Sequence, residues 1–242
     1  MRGMRTPSPP PPPEPPEPPG TPATAPALQA QILATEHWSL LASRTTTQNE
    51  VLTRISMFLT LVSAGLVSLA LVGQATGFGA DFGMFAVIVL SFVALVGVLT
   101  LLRVLNVGME DLMYVVAMNR LRAAYVALAP EVEAALMTSP HDDAAGVSRT
   151  YYFLGDRRDA SHVLASSMIF MAVVVSAIVG LLAAVVGLAA GAPKAVDIAI
   201  GIGVGAVFLV GATVAGGRPY FRFWRTYRPQ HPSDGTTARG GR

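Results

Sequence analysis

The sequence predicts an all-α protein with four transmembrane helices and a helical cytoplasmic portion, and three observations lead there. Hydrophobic residues make up 52% of the 242-residue chain and charged residues only 13%, too apolar a balance for an ordinary soluble domain. Four stretches, at 55–75, 82–102, 163–190 and 195–217, are almost free of charge, with Asp197 the one exception. About 20 helical residues at about 1.5 Å each cover a hydrocarbon core of about 30 Å, so each stretch is long enough to cross. The basic residues are also segregated: the turns at 73–81 and 191–194 hold only Lys194, and the other 16 lie in the N-terminal region, the 103–162 connection and the C-terminal tail. Positive charge favours the cytoplasmic side, so those three regions are expected inside. Four spans return the chain to its starting side, which makes it a multi-pass plasma-membrane protein with both termini cytoplasmic.

Residues 1–26 contain 12 of the 18 prolines, including an unbroken run at 9–13. Proline removes backbone donors and blocks helix, so this is expected to be a disordered tail of polyproline-II character. A proline-binding module could read it, but a solvated tail is the simpler reading. No apolar stretch follows Arg2 and Arg5, so the tail does not read as a signal peptide. Residues 27–54 read as a cytoplasmic helical segment. Its Leu28, Ile32, Leu33, Trp38, Leu40 and Leu41 gather on no single face, and a break is expected at Thr45-Thr46-Thr47. Thr47 and Glu50 have the spacing of a capping box ahead of the first span.

The membrane domain then occupies 55–217, with a cytoplasmic helical insertion at 103–162. The second span does not stop at its boundary. Arg103 marks the exit, helical spacing continues to Ala129, and Pro130 ends it. A short helical segment is expected at 131–137, and a loop at 138–150, where Pro140, Asp142, Asp143 and Gly146 cluster. Asp159 or Ser161 is the expected N-cap of the third span.

The extension of the second span is apolar on two faces. Leu105, Met109, Leu112, Val116, Asn119, Ala123 and Val126 follow a 4-3 spacing with Asn119 its one polar position. Tyr114, Met118, Leu121, Tyr125 and Leu128 repeat that spacing about 180° round the helix. Such a helix cannot stand bare in water and should be covered on both sides. The 27–47 segment could supply one cover. The other could be the same helix of a second subunit, with Asn119 setting register, or residues 131–160 of the same chain.

Past the fourth span, residues 218–228 predict an interfacial helix, followed by a disordered tail at 229–242. Arg218, Arg222, Arg225 and Arg228 fall within about 120° of arc, with Tyr220, Phe223, Trp224 and Tyr227 on the other side and Phe221 among the arginines. Pro219 suits the first turn. The pattern fits aromatic rings at headgroup depth and arginines on anionic membrane lipids. A basic stripe beside a membrane serves the membrane, so no nucleic-acid partner is expected. Inside the fourth span, Gly201, Gly203 and Gly205 follow no strand and do not form a nucleotide loop; Gly201 and Gly205 read as a close helix contact, as do Gly187 and Gly191.

Little else carries chemistry. There is no cysteine, hence no disulfide and no thiolate metal site. His141-Asp142-Asp143 are contiguous and read as a polar turn rather than a metal cluster. Ser56, Thr60 and Ser63 share a face of the first span but can bond to backbone carbonyls one turn back. Asp197 is expected near the outer boundary, within reach of water, and no charge lies mid-span where transport chemistry would place it. No nucleophile–base pair is visible, so no catalytic residue, metal or cofactor is predicted, and the chain is not expected to be an enzyme. The leading reading is a structural or regulatory membrane protein acting through helix–helix association, with a small oligomeric channel as the alternative.

At Glu36-His37-Trp38-Ser39-Leu40-Leu41, Asn49-Glu50-Val51-Leu52-Thr53-Arg54, Met118-Asn119-Arg120-Leu121-Arg122 and His141-Asp142-Asp143, the chain resembles a group of uncharacterised actinobacterial four-span membrane proteins over about residues 30–230. The resemblance implies a membrane location and a bacterial source, and brings no activity with it.

Overall fold

A computed structural model of the chain describes residues 25–155 and 166–233. The tails at 1–24 and 234–242, and the expected caps Asp159 and Ser161, lie outside the described residues. The described residues are helical and contain no strand. Four helices are long and apolar enough to cross a membrane: α1 (Ala25–Thr76), α2 (Ala80–Leu128), α4 (Ser167–Ala189) and α5 (Lys194–Thr226). Between α2 and α4 come a 3-10 turn (Pro130–Ala135) and the short helix α3 (Ala144–Tyr151).

α2 is the central element. It packs against α1 on one side and α4 on another, and α5 packs on α4. The apolar core of the spans gathers Ile55 and Phe58 from α1, Leu90, Val93 and Leu101 from α2, and Met171 and Val175 from α4. Gly97 makes room for the Phe58 ring: a Cβ on Gly97 would come within 2.9 Å of it. The α1–α2 turn is tight, with Gly77 and Phe78 both at positive φ, and the Phe78 N–H donates to the Gly73 carbonyl at 3.0 Å, closing the end of α1.

Several expectations are corrected here. The break at Thr45-Thr46-Thr47 does not occur: α1 runs through it, with the Thr45 and Thr46 hydroxyls donating to the Leu41 and Ala42 carbonyls at 2.9 Å. Threonine can thus satisfy its hydroxyl inside a helix as well as at a cap. Nor does the Thr47–Glu50 capping box form, because no helix starts there. Glu50 binds Arg54 at 2.8 Å and Arg103 at 2.9 Å instead. The loop expected at 138–150 contains α3, capped by Asp143, whose side chain accepts the Gly146 N–H at 2.7 Å. The cap of α4 is Ser166, which accepts the Ile169 N–H at 3.3 Å. Finally, 218–228 is not a separate helix. α5 continues without interruption to Thr226 and carries Pro219 in its interior, so the basic segment is a rigid continuation of the fourth span.

The parts of α1, α2 and α5 that lie beyond the spans on the arginine-rich side join the 3-10 turn and α3 in a helical head. Its own apolar cluster holds Leu112, Val115, Val116, Met118 and Val147, with Leu40, Phe223, Trp224 and Tyr227 packed against it. Both apolar faces of the α2 extension are therefore served from within the chain. α1 lies along one, bringing Leu40 to the cluster and His37 beside the Tyr125 ring, while α3, the 3-10 turn and the end of α5 lie against the other. Asn119 is fully buried, and its bonds are all internal: it donates to the His141 carbonyl at 2.7 Å and accepts from Arg122 at 2.6 Å and Thr150 at 3.0 Å.

Candidate functional site

The densest polar site among the described residues is built on the expected polar turn, His141-Asp142-Asp143. It is a junction rather than a surface turn. Asp142 is 0% exposed, and its carboxylate accepts from Arg120 Nε at 2.8 Å, the Tyr227 hydroxyl at 2.7 Å, and the backbone N–H groups of Gln230 at 3.0 Å and His231 at 2.8 Å. Asp143 caps α3 with one oxygen and with the other accepts both the N–H and the hydroxyl of Ser233, at 2.9 and 2.6 Å. The Asp142 N–H in turn donates to the His231 carbonyl at 3.2 Å. Residues 227–233 are thus strapped across the head, a correction to the disordered tail expected from residue 229.

The local sequence explains the geometry. Pro140 and the Ser139 hydroxyl, which accepts the His141 N–H at 3.1 Å, turn the chain before the two aspartates. Gly146 follows because any Cβ there would strike the His141 carbonyl. Burial opposes the charge on Asp142, but the bonds from Gln230, Tyr227, Arg120 and His231 outweigh it and hold the carboxyl down at about 2. Burial, and then the Asp142 carboxylate, push the Tyr227 phenol up to about 12, so it stays a donor. The Arg120 guanidinium also lies over the Tyr227 ring, 5.4 Å from its centre.

Two further networks tie α1 to α2. Asp111 receives Arg44 at 2.6 and 3.1 Å, Gln48 at 2.8 Å and the Tyr151 hydroxyl at 2.6 Å, linking α1, α2 and α3. Despite its burial, bonds from Arg44 and Tyr151 keep the Asp111 carboxyl below the usual range. At the exit from the spans, Arg103 bridges Glu50 on α1 and Glu110 on its own helix, at 2.9 and 2.6 Å. Arg103 thus sits where sequence places the membrane boundary.

The predicted association residues are brought together within the chain. Leu112 and Val116 are buried in the head cluster and Leu121 is half-buried. Gly201 and Gly205 do lie at a close helix crossing, between α4 and α5: a Cβ on Gly201 would meet the Gly180 carbonyl oxygen at 2.8 Å, and one on Gly205 the Ser176 oxygen at 3.0 Å. Gly191 is instead in the turn, at φ +80°. Of the predicted lipid-facing residues, Arg218, Arg222, Arg225 and Arg228 are exposed, as is Tyr220. Trp224 is half-buried and packs on the head cluster beside Phe223 and Tyr227. Asp197 is also corrected. It is 5% exposed, set against Gly187, and neither carboxylate oxygen has a hydrogen-bond partner among the described residues.

Sequence reasoning missed the strap residues Tyr227, Gln230, His231 and Ser233 as partners of the aspartates. The aspartates themselves carried a usable signal, since Asp143 before Ala-Ala-Gly-Val is a helix start. Nothing local identifies partners that are 85 or more residues away. Among the described residues, no group of three or more His, Asp or Glu is placed to hold a metal. No protein family, curated protein or solved structure matches the chain. Four helices of this length and apolarity are those of a multi-pass membrane protein, here with a head locked by buried carboxylates.

Proposed function

We propose that this is a plasma-membrane protein of structural or regulatory role, with both termini cytoplasmic, which acts through helix association of its head. One observation carries the reading. The α2 seams are covered internally, yet α1 keeps Leu28, Ile32 and Trp38 exposed, Trp38 by 70%, within about 120° of arc on the part of the helix furthest from the spans. Three large apolar side chains on one face of a rigid helix outside the membrane form a surface for another helix. The simplest partner is the same face of a second copy. The Asp111 and Arg103 networks hold α1 in place, so the face is presented pre-ordered.

The channel reading has less support. The cavity of about 350 Å³ between α1, α2 and α4 is lined by residues such as Val62, Leu69, Val89, Val93 and Ile178, all apolar. The hydroxyls of Ser56, Thr60 and Ser63 bond to the Leu52, Ser56 and Leu59 carbonyls at 2.9–3.0 Å rather than to a polar path. Light scattering of the purified full-length protein in detergent tests association. The expected result is a dimer that Trp38→Glu and Ile32→Glu convert to a folded monomer. A monomeric wild type at micromolar concentration, or variants that stay dimeric, would remove this reading. Steady single-channel conductance in a planar bilayer would favour the channel.

A further inference from the structure

We infer that α5 carries a site for an anionic phospholipid, with its headgroup on Arg218, Arg222 and Arg225 and its acyl chains along the exposed apolar stripe directly above them. Three independent features converge on this. First, the arginines are unoccupied by the protein. All three are exposed, and none makes an ion pair or hydrogen bond with the described residues. With Ala215, Pro219 and Phe221 they line an open groove of about 780 Å³. Phe221 is 64% exposed and stands among the guanidiniums.

Second, the orientation of this face is fixed. The opposite face of the same segment, Phe223, Trp224 and Tyr227, is packed into the head cluster, and Tyr227 is anchored to Asp142. The helix cannot roll its arginines towards the protein. Third, the site continues into the membrane. Because α5 is uninterrupted, 100° per residue places Ile200, Val204, Val207 and Val214 on the face of Arg218, Arg222 and Arg225. All four are at least 40% exposed, Val207 by 74%. The apolar stripe ends where the arginines begin, and Arg218 to Arg225 rises only about 10 Å, the depth of a headgroup layer. A molecule with two apolar chains and a phosphate matches this order of surfaces. A soluble polyanion would use the arginines and leave the stripe and Phe221 without a role. Arginine suits phosphate because its fork of N–H donors can bind two oxygens at once.

Energy transfer from Trp224 to a labelled lipid tests the site in the full-length protein. The chain has two tryptophans, and Trp38→Phe leaves Trp224 as the single donor, next to Arg225 in the chain. The protein is placed in phosphatidylcholine vesicles doped with dansyl-phosphatidylglycerol or dansyl-phosphatidylcholine. The anionic probe should be enriched around Trp224, and replacing Arg218, Arg222 and Arg225 together by Gln should abolish the preference, at roughly fivefold per arginine at low salt. Replacing all three by Lys should retain much of it, and Arg149→Gln, in α3, should leave it unchanged. The melting temperature of each variant separates loss of the site from loss of the fold. Equal transfer from both probes in the wild type would overturn the inference, as would a preference that survives in a folded triple Gln variant. So would RNA or polyphosphate that binds the arginines in pure phosphatidylcholine vesicles more tightly than the anionic lipid does.

Discussion

The carboxylate of Asp142 accepts the hydroxyl of Tyr227 at 2.7 Å, joining the head to the end of the fourth membrane helix across 85 residues of chain. This contact is one of four that Asp142 receives, two of them from backbone groups of the strap. Removing the acceptor leaves buried donors without partners, the costly way to break such a network. Asp142→Ala should lower the stability of the folded head by about 2–4 kcal/mol. Asp142→Asn, which keeps one acceptor oxygen, should fall between it and the wild type. Thermal melts in detergent measure the loss. Chymotryptic cleavage after Tyr227 should accelerate in the same order, because the strap protects that bond only while it is held.

Acid should act through the same carboxylate. Asp142 has its pKa lowered in the folded state, from 3.8 to about 2, so folding favours its ionised form. Its contribution is fully present above the unfolded value near pH 4 and is lost as the pH falls towards 2; the difference is worth about 2 kcal/mol. Asp111, also lowered, adds in the same direction. The melting temperature should therefore be insensitive to pH between 5 and 7, as far as these two groups govern it, and fall below 4. Asp142→Asn should flatten that acid limb. An unchanged limb in the variant would assign the acid sensitivity elsewhere.

Glycine substitutions in α4 and α5 should divide sharply. A Cβ on Gly180 would lie 2.6 Å from the Gly201 carbonyl oxygen, a backbone atom that cannot turn aside, so Gly180→Ala must push the helices apart. The expected cost is about 1–3 kcal/mol. Gly203 faces open space, with nothing within 4 Å of an added Cβ, and Gly203→Ala should be neutral or slightly stabilising through helix propensity. Equal melting temperatures for the two variants would mean that α4 and α5 do not approach as closely as this.

How much of this was legible in the sequence follows from the range of each interaction. The spans rest on local composition, and the stop at Pro130 on proline's missing donor, so both could be read directly. The Gly201–Gly205 spacing pointed to a close helix contact, although only the structure identifies Gly180 as its partner. The inward face of α1 was hidden because it mixes His37, Leu40, Arg44 and Val51, and polar residues blur a stripe read by hydrophobicity. Arg44 finds Asp111 across 67 residues and Asp142 finds Tyr227 across 85, pairings that charge counts alone do not specify. Pro, Gln, His and Ser in the strap have no apolar pattern, so sequence alone reads the segment from residue 229 as disordered. It is ordered by hydrogen bonds to two buried aspartates instead.

The proposed orientation has its own test. Single cysteines can be placed without background, since the chain has none. Cysteines at Thr76 and Ala192, in the two turns poor in basic residues, should react with an impermeant reagent added to intact cells. One at Leu154, which is 80% exposed in the head, should react only after the membrane is opened. Labelling at Leu154 in intact cells would invert the arrangement and place the arginine-rich side outside.

Asp197 supplies the sharpest contrast with Asp142. Both are buried aspartates, but Asp142 is fully partnered while both oxygens of Asp197 have no partner among the described residues. It lies in the first turn of α5, where the helix dipole favours negative charge, yet it accepts no capping bond and sits against Gly187. The dipole contributes about 0.3–1 kcal/mol, whereas burying a polar group without a hydrogen bond costs about 1–3 kcal/mol, so the second effect should win. Asp197→Asn and Asp197→Ala should then leave membrane insertion intact and keep or raise the melting temperature, with Ala at least as stable as Asn. A loss of more than about 2 kcal/mol in both variants would exceed the dipole term and show that the carboxylate holds a stabilising partner. A proton- or ion-coupled flux abolished by Asp197→Asn would move the protein into the transporter class.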